Sequence, residues 1–400
     1  MLRFLTAGES HGQALVGILD GMPAGLRIDF DAIDRELWRR QQGYGRGRRM
    51  AIESDRAEIL SGVRAGETIG GPVAFLITNR DWPNWHRTMH VGPDTPPGEA
   101  PARAPVSRPR PGHADLAGAL KFERDDIRDV LERASARETA ARVAAGALAR
   151  QLLAAVGIEV ASHVFAIGGV TLDRPHDVTF DQARALPDNA HLHCVAVEVE
   201  RRMIAAIDEA RDRGDTLGGA FEVIARGVPP GLGSYTQWDR KLDGRLAQAL
   251  MSIPAIKAVG IGLGPVAADR PGSRVHDEIV PGTAGAGVPG LDRPTNHAGG
   301  LEGGVTNGQD LRVTAYMKPI STLMKPLRSV DLRTMTPEAA AIERSDVCAV
   351  PAAAVVGEAM VCLTLGGALI EKFGGDSIVG LRASLDAARD RMRARLAPPR

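Results

Sequence analysis

The sequence has few aromatic residues, few lysines, few cysteines and no net charge. Aromatic residues are 4% of the 400 positions, against 46 glycines and 26 prolines, which predicts many turns and a core of small aliphatic side chains. Lys+Arg and Asp+Glu number 49 each, so the net charge of zero excludes a global positive field for nucleic acid. Only six of the 49 basic residues are lysines, so most positive charges are guanidinium groups, which bind phosphate and carboxylate bidentately.

The cysteines are widely spaced (Cys194, Cys348 and Cys362), and they fit neither a zinc site nor a disulfide framework. The first residues lack the apolar run of a secretory signal. We therefore expect a cytoplasmic protein without a metal site. The stretch 347–370 is long enough to span a membrane and has one charged residue, Glu358, but its proline, alanines and glycines predict a buried core helix instead.

Apolar spacing and capping residues predict one integrated domain over residues 1–400. A strand, a turn and a second strand are predicted at 3–19, followed by a helix from Asp29 or Asp31 to about Gln42. Further helices are predicted at 199–213, 239–254, 351–373 and 376–396. The segment GETIGGPVAF at 66–75 resembles GDTLGGAFEV at 214–223, which indicates an internal repeat, with chance similarity as the alternative.

The clearest helix is predicted to run unbroken over 125–157, about 30 residues, which is long for a globular protein. Arg133 and Arg137 are four residues apart in it and would share one face. They can then bind the same anion, or they can pair with acids such as Asp129 as ordinary helix salt bridges.

The motif GESHG at 8–12 matches the G-x-S-x-G pattern of hydrolases, which requires a helix directly after the serine. Here the apolar residues 14–19 favour a second strand, so a hydrolase that uses Ser10 is the weaker hypothesis. His11 in the same turn can hold or release a proton near neutral pH. A structural histidine is the alternative.

A second histidine, His113, lies in RPRPGHAD at 108–115, where proline and glycine restrict the backbone. Rigid presentation of this ring beside Arg110 suits an anionic substrate.

Residues 35–49 hold six arginines and a single acid, Glu36. A solvated helix face explains Arg35 and Arg39. The later arginines lie among glycines, where backbone can approach a ligand closely, and this favours a phosphate or carboxylate site. A short RNA-binding patch is the alternative, which the sparse aromatic residues disfavour.

Three later segments add polar groups. The segment 295–309 has five glycines with amides and hydroxyls, and it can cradle a phosphate with backbone N–H groups. KPIST at 318–322 supplies one cation and two hydroxyls. Asp346 precedes the predicted buried helix, where it either serves the site or caps the helix.

Taken together, these segments resemble the chorismate synthase family. The resemblance extends over residues 7–377 and rests on nine segments in order: GESHG, GYGRGRRM, RPRPGHAD, RASARETAAR, MSIPAIKAVGIG, AGGLEGGVTNGQ, MKPIST, RSDVCAVPA and EKFGGDS. It implies conversion of 5-enolpyruvylshikimate 3-phosphate to chorismate and phosphate, the last step of the shikimate pathway. It also implies reduced FMN as the cofactor, although no net redox change occurs.

The resemblance also assigns roles to residues. It implies that His11 is a general acid near the leaving phosphate, that His113 protonates or stabilises the reduced flavin, and that Asp346 lies beside flavin N5. The arginines placed on the substrate side are Arg40, Arg46, Arg49, Arg110, Arg137 and Arg344. The residues placed on the flavin are Arg133, Ala134, Ser135, Ala255, Gly303, Lys318, Pro319, Ile320, Ser321, Thr322 and Arg344.

The family's architecture, an α+β fold, is a β-α-β sandwich with a helical core between two antiparallel sheets and an internal pseudo-repeat. The resemblance implies a homotetramer, a small-molecule substrate, and neither nucleic acid nor membrane as partner. No insertion looks like a reductase, so we expect an external flavin reductant, with NADPH as an indirect source. Pro254 stands where the family often has Gln or Asn, and it has no side-chain amide to offer the flavin.

Overall fold

The structure, a computed structural model, describes residues 2–47, 54–93, 102–282, 287–343 and 346–396. The helices are α1 Phe30–Gln41, α2 Asp115–Phe122, α3 Arg128–Leu131, α4 Thr139–Ala154, α5 Phe180–Arg184, α6 Val197–Asp212, α7 Leu242–Met251, α8 Val350–Phe373 and α9 Ile378–Leu396. The strands are β1 Arg3–Ala7, β2 Ala14–Asp20, β3 Glu58–Ile59, β4 Val63–Arg64, β5 Glu67–Thr68, β6 Val73–Thr78, β7 Glu159–Ile167, β8 Val170–Thr171, β9 Gly219–Arg226, β10 Ile256–Ile261, β11 Val280–Pro281, β12 Leu291–Asp292, β13 Leu301–Glu302, β14 Val305–Thr306, β15 Leu311–Met317, β16 Arg328–Asp331 and β17 Thr336–Ala339.

Two antiparallel sheets contain the strands of five or more residues, together with the short strands β3 and β8. The four-stranded sheet has the order β1-β2-β6-β3, and the five-stranded sheet has the order β10-β15-β9-β7-β8. The mixed α+β class predicted from the sequence is therefore confirmed. The two similar segments, 66–75 and 214–223, each lead into an interior strand, β6 in one sheet and β9 in the other.

Helices α4 and α8 pack on one another and on the sheets. Helix α4 contacts β2 of the four-stranded sheet, and α8 contacts β7 and β9 of the five-stranded sheet. Small residues allow this close approach, because a Cβ atom at Gly146 would lie 2.5 Å from the Cα of Ala359. One at Gly357 would lie 2.5 Å from the Phe221 ring.

Helix α8 is the predicted core helix. Among the described residues it is the one helix long and apolar enough to cross a membrane, and 94% of its most apolar window is buried inside the protein. The prediction that this apolar stretch is a buried helix is confirmed.

The close contact between α4 and α8 leads to a stability prediction. Although alanine favours helix more than glycine, we expect Gly146→Ala to lower the free energy of unfolding by about 1–3 kcal/mol, because the added methyl group overpacks the contact. Gly244→Ala in α7 is the matched control, since its Cβ would meet only one oxygen at 4.0 Å. Urea unfolding of both variants and of the wild type measures the change in the free energy of unfolding that each substitution causes. Equal changes in the two variants would contradict the close-packing argument.

The single helix predicted over 125–157 is wrong. The chain forms α3, then a 3-10 turn at Ala136–Glu138, and then α4. The helix breaks at Ser135, whose backbone is extended and whose hydroxyl accepts the N–H of Arg137. Arg133 and Arg137 therefore do not share one face of a helix. The pattern misled because small apolar residues continue across the break.

A carboxylate lies in the middle of the apolar helix α8. Glu358 is fully buried and accepts hydrogen bonds from Arg39 on α1 at 2.8 and 3.0 Å. Arg150 on α4 and the hydroxyl of Ser162 on β7 also donate to it. Burial raises the pKa of the Glu358 carboxyl, but the charges of Arg39 and Arg150 outweigh burial and lower the pKa to about 2. The prediction of a solvated Arg39 is wrong, because this ion pair draws its side chain into the core.

Candidate active site

The turn between β1 and β2, residues 8–13, is held by residues far along the chain. The guanidinium of Arg133 donates to the carbonyl oxygens of Thr6 and Gly8, at 2.9 and 3.2 Å. The side-chain amide of Asn79 donates to the carbonyl oxygen of Gly12 at 2.7 Å. In this described part of the chain β2 and not a helix follows the turn, so the arrangement that a hydrolase serine needs is not formed.

His11 in this turn is fixed by a carboxylate and an indole. Its Nδ1 lies 2.9 Å from the nearer oxygen of Glu132, and its backbone N–H donates to the same carboxylate. Its ring stacks on Trp85, with centroids 3.7 Å apart, and Arg103 lies 3.8 Å from the Trp85 ring centroid. Burial raises the pKa of the Glu132 carboxyl, but the hydrogen bonds and charge of His11 outweigh burial and lower it.

His113 has the same kind of partner. Its Nδ1 lies 2.5 Å from Oδ1 of Asp115, the first residue of α2. Arg110 donates from Nε to Asp115 Oδ2 at 2.8 Å and from Nη1 to the Thr322 hydroxyl at 2.9 Å. Burial raises the pKa of the Asp115 carboxyl, but the hydrogen bonds from His113 and Arg110 outweigh burial and hold it well below its usual range. Gly112 provides the turn before the histidine, with φ 80°.

Two predicted substrate arginines converge on one buried acid. Arg40 donates to Asp55 at 2.9 Å, and Arg137 donates to both oxygens of Asp55 at 2.7 Å. Arg137 also donates to the side-chain oxygen of Asn79 at 3.0 Å, which connects this pair to the His11 turn. Burial lowers the pKa of Arg40 to about 10, and the positive charges of Arg137 and Arg46 add to this effect against the opposing charge of Asp55. Even so, Arg40 is a cation at neutral pH.

Arg46 and Asp346 form a direct pair. Arg46 donates to one Asp346 oxygen at 2.6 Å, and the backbone N–H of Gly47 donates to the other at 2.6 Å. The residue that caps α8 is Ala349, so the alternative in which Asp346 caps this helix is wrong.

The segment 318–322 packs beside the His113 turn. The Lys318 ammonium donates to the Gly112 carbonyl oxygen, and the Lys318 backbone N–H donates to the Ala255 carbonyl at 2.9 Å. The carbonyl oxygen of Ile320 accepts the Thr216 hydroxyl at 2.7 Å. Ala255 has φ 68°, a left-handed conformation that costs a non-glycine residue about 1–2 kcal/mol.

Contacts between neighbouring elements relate the two histidine clusters to each other and to the predicted flavin residues 134–135. Helix α2, which begins at Asp115, and helix α3, which ends just before Glu132, share a small apolar cluster. The hydroxyl of Ser135 donates to the hydroxyl of Ser10, beside His11. The backbone N–H of Ala134, the residue before Ser135, donates to the carbonyl oxygen of Val130 in α3. Three further predicted residues lie outside these contacts. Pro319 and Ser321 belong to the segment 318–322, and Gly303 lies in the turn between β13 and β14. The predicted Arg49 and Arg344 lie outside the described residues.

Comparison with known proteins identifies the family. A family model described as Chorismate synthase matches residues 2–370. The chain belongs to the chorismate synthase family. The chorismate synthase of Desulforudis audaxviator is 56% identical over 394 residues, which cover 98% of this chain and 99% of the relative. That of Moorella thermoacetica is 57% identical over 389 residues, which cover 97% and 98%.

The fold comparison agrees. A crystal structure of chorismate synthase is 40% identical to this chain, with a TM-score of 0.78, and the match covers 98% of both chains. The chain is accordingly an enzyme of this family of lyases, and the resemblance drawn from its motifs is confirmed.

Within this chorismate synthase fold, the motifs did not reveal the acids that hold the predicted cations and histidines. These are Asp55, Asp115 and Glu132. Asp115 could have been predicted as a partner, because it is the last residue of the RPRPGHAD motif, two residues after His113. Glu132 lies 121 residues from its histidine, and nothing local marks it as a partner. No group of three or more His, Cys, Asp or Glu side chains that could hold a metal occurs in the part of the chain that the structure describes.

Proposed function

We propose that this chain catalyses the elimination of phosphate from 5-enolpyruvylshikimate 3-phosphate to give chorismate, using reduced FMN without net redox change. Family membership supports the reaction, and one observation within the chain supports the site. Both predicted histidines bond through Nδ1 to a buried carboxylate, and neither Nε2 atom has a hydrogen-bond partner among the described residues. Each Nε2 is therefore open to a bound reactant.

The donor groups of the region suit anionic ligands. The substrate and FMN both carry phosphate, and Arg40, Arg46, Arg110 and Arg137 supply guanidinium groups. The Nε of Arg40 is buried, and no described residue accepts its hydrogen bond, so it can donate to an anionic oxygen. The side-chain amide nitrogen of Asn307, in the glycine-rich segment 295–309, is also buried, and no described residue accepts its hydrogen bond. These residues fit the phosphate chemistry of FMN.

We assign the binding of FMN to Ala134, Ser135, Ala255, Gly303 and 318–322. When bound, reduced FMN supplies a transient source of electrons and the acceptor for the substrate proton. Arg133 acts on this site indirectly in our proposal, because its guanidinium holds the turn 8–13. Arg49 and Arg344 keep their proposed places on the substrate, and Arg344 also on the flavin.

The protein's own groups then handle protons and charge. His11 holds at Nε2 the proton that the leaving phosphate takes up as its C–O bond breaks. His113 holds a proton at Nε2 that stabilises negative charge on the reduced cofactor. Asp346, kept in place by Arg46 and Gly47, assists removal of the substrate proton. The arginines neutralise the departing phosphate.

Our proposal for the architecture is a single-domain β-α-β sandwich with α4 and α8 as its middle layer and with a pseudo-repeat that relates the sheets. The contacts of α4 with β2 and of α8 with β7 and β9 support the layers, and the entry of both similar segments into interior strands supports the repeat. We also propose a cytoplasmic homotetramer that receives reduced FMN from an external reductant. NADPH is the indirect source of electrons in that scheme.

An anaerobic assay tests the reaction. The protein is mixed with 5-enolpyruvylshikimate 3-phosphate and chemically reduced FMN, with oxidised FMN in a parallel sample, and chorismate and phosphate are followed. We expect chorismate and phosphate in equal amounts in the sample with reduced FMN, and neither product in the sample with oxidised FMN. Folded protein that binds FMN yet forms no product would overturn the proposed activity, and Pro254, which replaces a frequent amide, would be the first residue to exchange.

A further inference from the structure

In the described part of the chain, three histidine rings form a hydrogen bond to a buried carboxylate, and the three pairs are of two kinds. In His11–Glu132 and His113–Asp115 the carboxylate has no exposed surface, whereas the histidine is 14% and 19% exposed. In His163–Glu222 both side chains are buried, and the bond is made by Nε2. The first two rings thus have their inner nitrogen anchored and their outer nitrogen open, while the third ring is enclosed.

We infer that Glu132 and Asp115 are positioning residues for the proposed reaction, each fixing its histidine ring and keeping one proton on Nδ1, so that the second proton of the charged ring lies on Nε2 and faces the reactants. This inference rests on the proposed function. It extends that function to two acids that touch the histidines and not the substrate.

Each carboxylate is itself held in place. Glu132 accepts the backbone N–H of His11 and the guanidinium of Arg128, at 2.9 and 3.4 Å. Asp115 accepts the backbone N–H of Arg110 at 3.0 Å as well as its side chain. A carboxylate with several fixed donors cannot follow a moving ring, so the ring takes its orientation from the acid.

The proton on Nδ1 follows from the charges around each ring. Arg110 lies 3.1 Å from the Nδ1 of His113, but a guanidinium has no acceptor, so only Asp115 can accept a hydrogen bond from that nitrogen. At His11, Arg128 and Arg103 lie on the Trp85 ring and Glu132 is the acid in contact. The hydrogen bonds hold the pKa of both carboxyl groups below the usual range, so both are anions at neutral pH.

The test is made on Glu132→Gln and Asp115→Asn, which keep size and remove charge. Nitrogen NMR of ¹⁵N-histidine in the ligand-free protein reports which ring nitrogen carries the proton. We expect the wild type to hold it on Nδ1 and each variant to shift the affected ring toward the Nε2-protonated form. We also expect kcat to fall by at least about 10-fold, with a smaller change in KM, because an amide no longer stabilises the doubly protonated ring whose Nε2 proton the reaction uses.

The pH profile separates positioning from a structural role. Loss of the anion destabilises the protonated ring, so the alkaline limb of the kcat profile moves to lower pH in both variants. Glu132→Asp and Asp115→Glu keep the charge and restore part of kcat. Glu222→Gln is the control, since it alters the enclosed His163 pair: we expect a lower Tm with an unchanged pH profile.

Unchanged tautomers and an unchanged pH profile in folded Glu132→Gln and Asp115→Asn would overturn the inference, even if their Tm fell. If either amide variant does not fold, the wild type decides: a proton on Nε2 instead of Nδ1 of the neutral ring in the ligand-free protein would overturn the inference. An inactive wild type would instead contradict the proposed function, and the NMR result on the ligand-free protein would still decide whether the acids set the tautomer.

Discussion

Replacing His11 or His113 by alanine is expected to lower kcat by at least about 10²-fold, the lower range for general acid–base catalysis. Each ring offers its Nε2 to bound reactants, and alanine leaves no group there that can hold a proton. The buried acid behind each ring remains, but it does not reach the reactants itself. The measurement is the initial rate of chorismate formation with reduced FMN under anaerobic conditions, at saturating substrate.

Ser10→Ala provides the control, because the serine hydroxyl bonds to Ser135 and has no role in the proposed elimination. We expect this variant to keep most of its activity. A hydrolase that used Ser10 would show the opposite pattern. Near-full activity in both histidine variants would remove His11 and His113 from the proposed site.

Glu358→Gln is expected to lower the free energy of unfolding by about 3–5 kcal/mol, the cost of removing one partner from a buried ion pair. The amide keeps the size of the side chain but removes one of the two carboxylates that Arg39 and Arg150 share in the core, so that only Glu36 faces both cations. Urea unfolding at pH 7 measures the loss. The control is Glu371→Gln, whose half-exposed salt bridges should change stability by less than about 1 kcal/mol.

The contribution of Glu358 to the free energy of unfolding is also expected to depend on pH. The pKa of Glu358 is about 2 in the folded protein, below the ordinary value of 4.5, so the unfolded chain takes up a proton at higher pH than the folded chain. The stabilisation is therefore complete above pH 4.5 and is lost as the pH falls toward 2. The stability difference between wild type and Glu358→Gln should shrink over that range. A constant difference would show that the charge of Glu358 is not what stabilises the core.

The sequence predicted those elements whose signals are local. Helix α1 begins where Asp29 caps it, because the carboxylate accepts the Ala32 N–H at 3.0 Å. Helix α8 is apolar over most of its length, which favours burial or a membrane span. His11 and His113 could be proposed from the sequence because each lies in a distinctive short motif that resembles the family's.

What the sequence left unpredicted depends on contacts between distant residues. Arg39 and Arg40 are neighbours with the same chemistry, and only tertiary packing sends one to Glu358 and the other to Asp55. The break before α4 occurs at Ser135, whose hydroxyl accepts the N–H of Arg137 and also donates to Ser10 in the distant turn 8–13. Helix periodicity does not contain this information.

The two successive arginines at the end of α1 have a consequence for engineering this enzyme. Arg39 is anchored in the middle of the core, and Arg40 is anchored at Asp55, the acid that it shares with Arg137 in the proposed site. A small rotation of α1 would move both anchors together. Substitutions chosen to make the protein more heat-tolerant by repacking the surroundings of Glu358 are therefore expected also to alter substrate affinity at the proposed site, and a screen for thermostable variants needs to select for both properties at once.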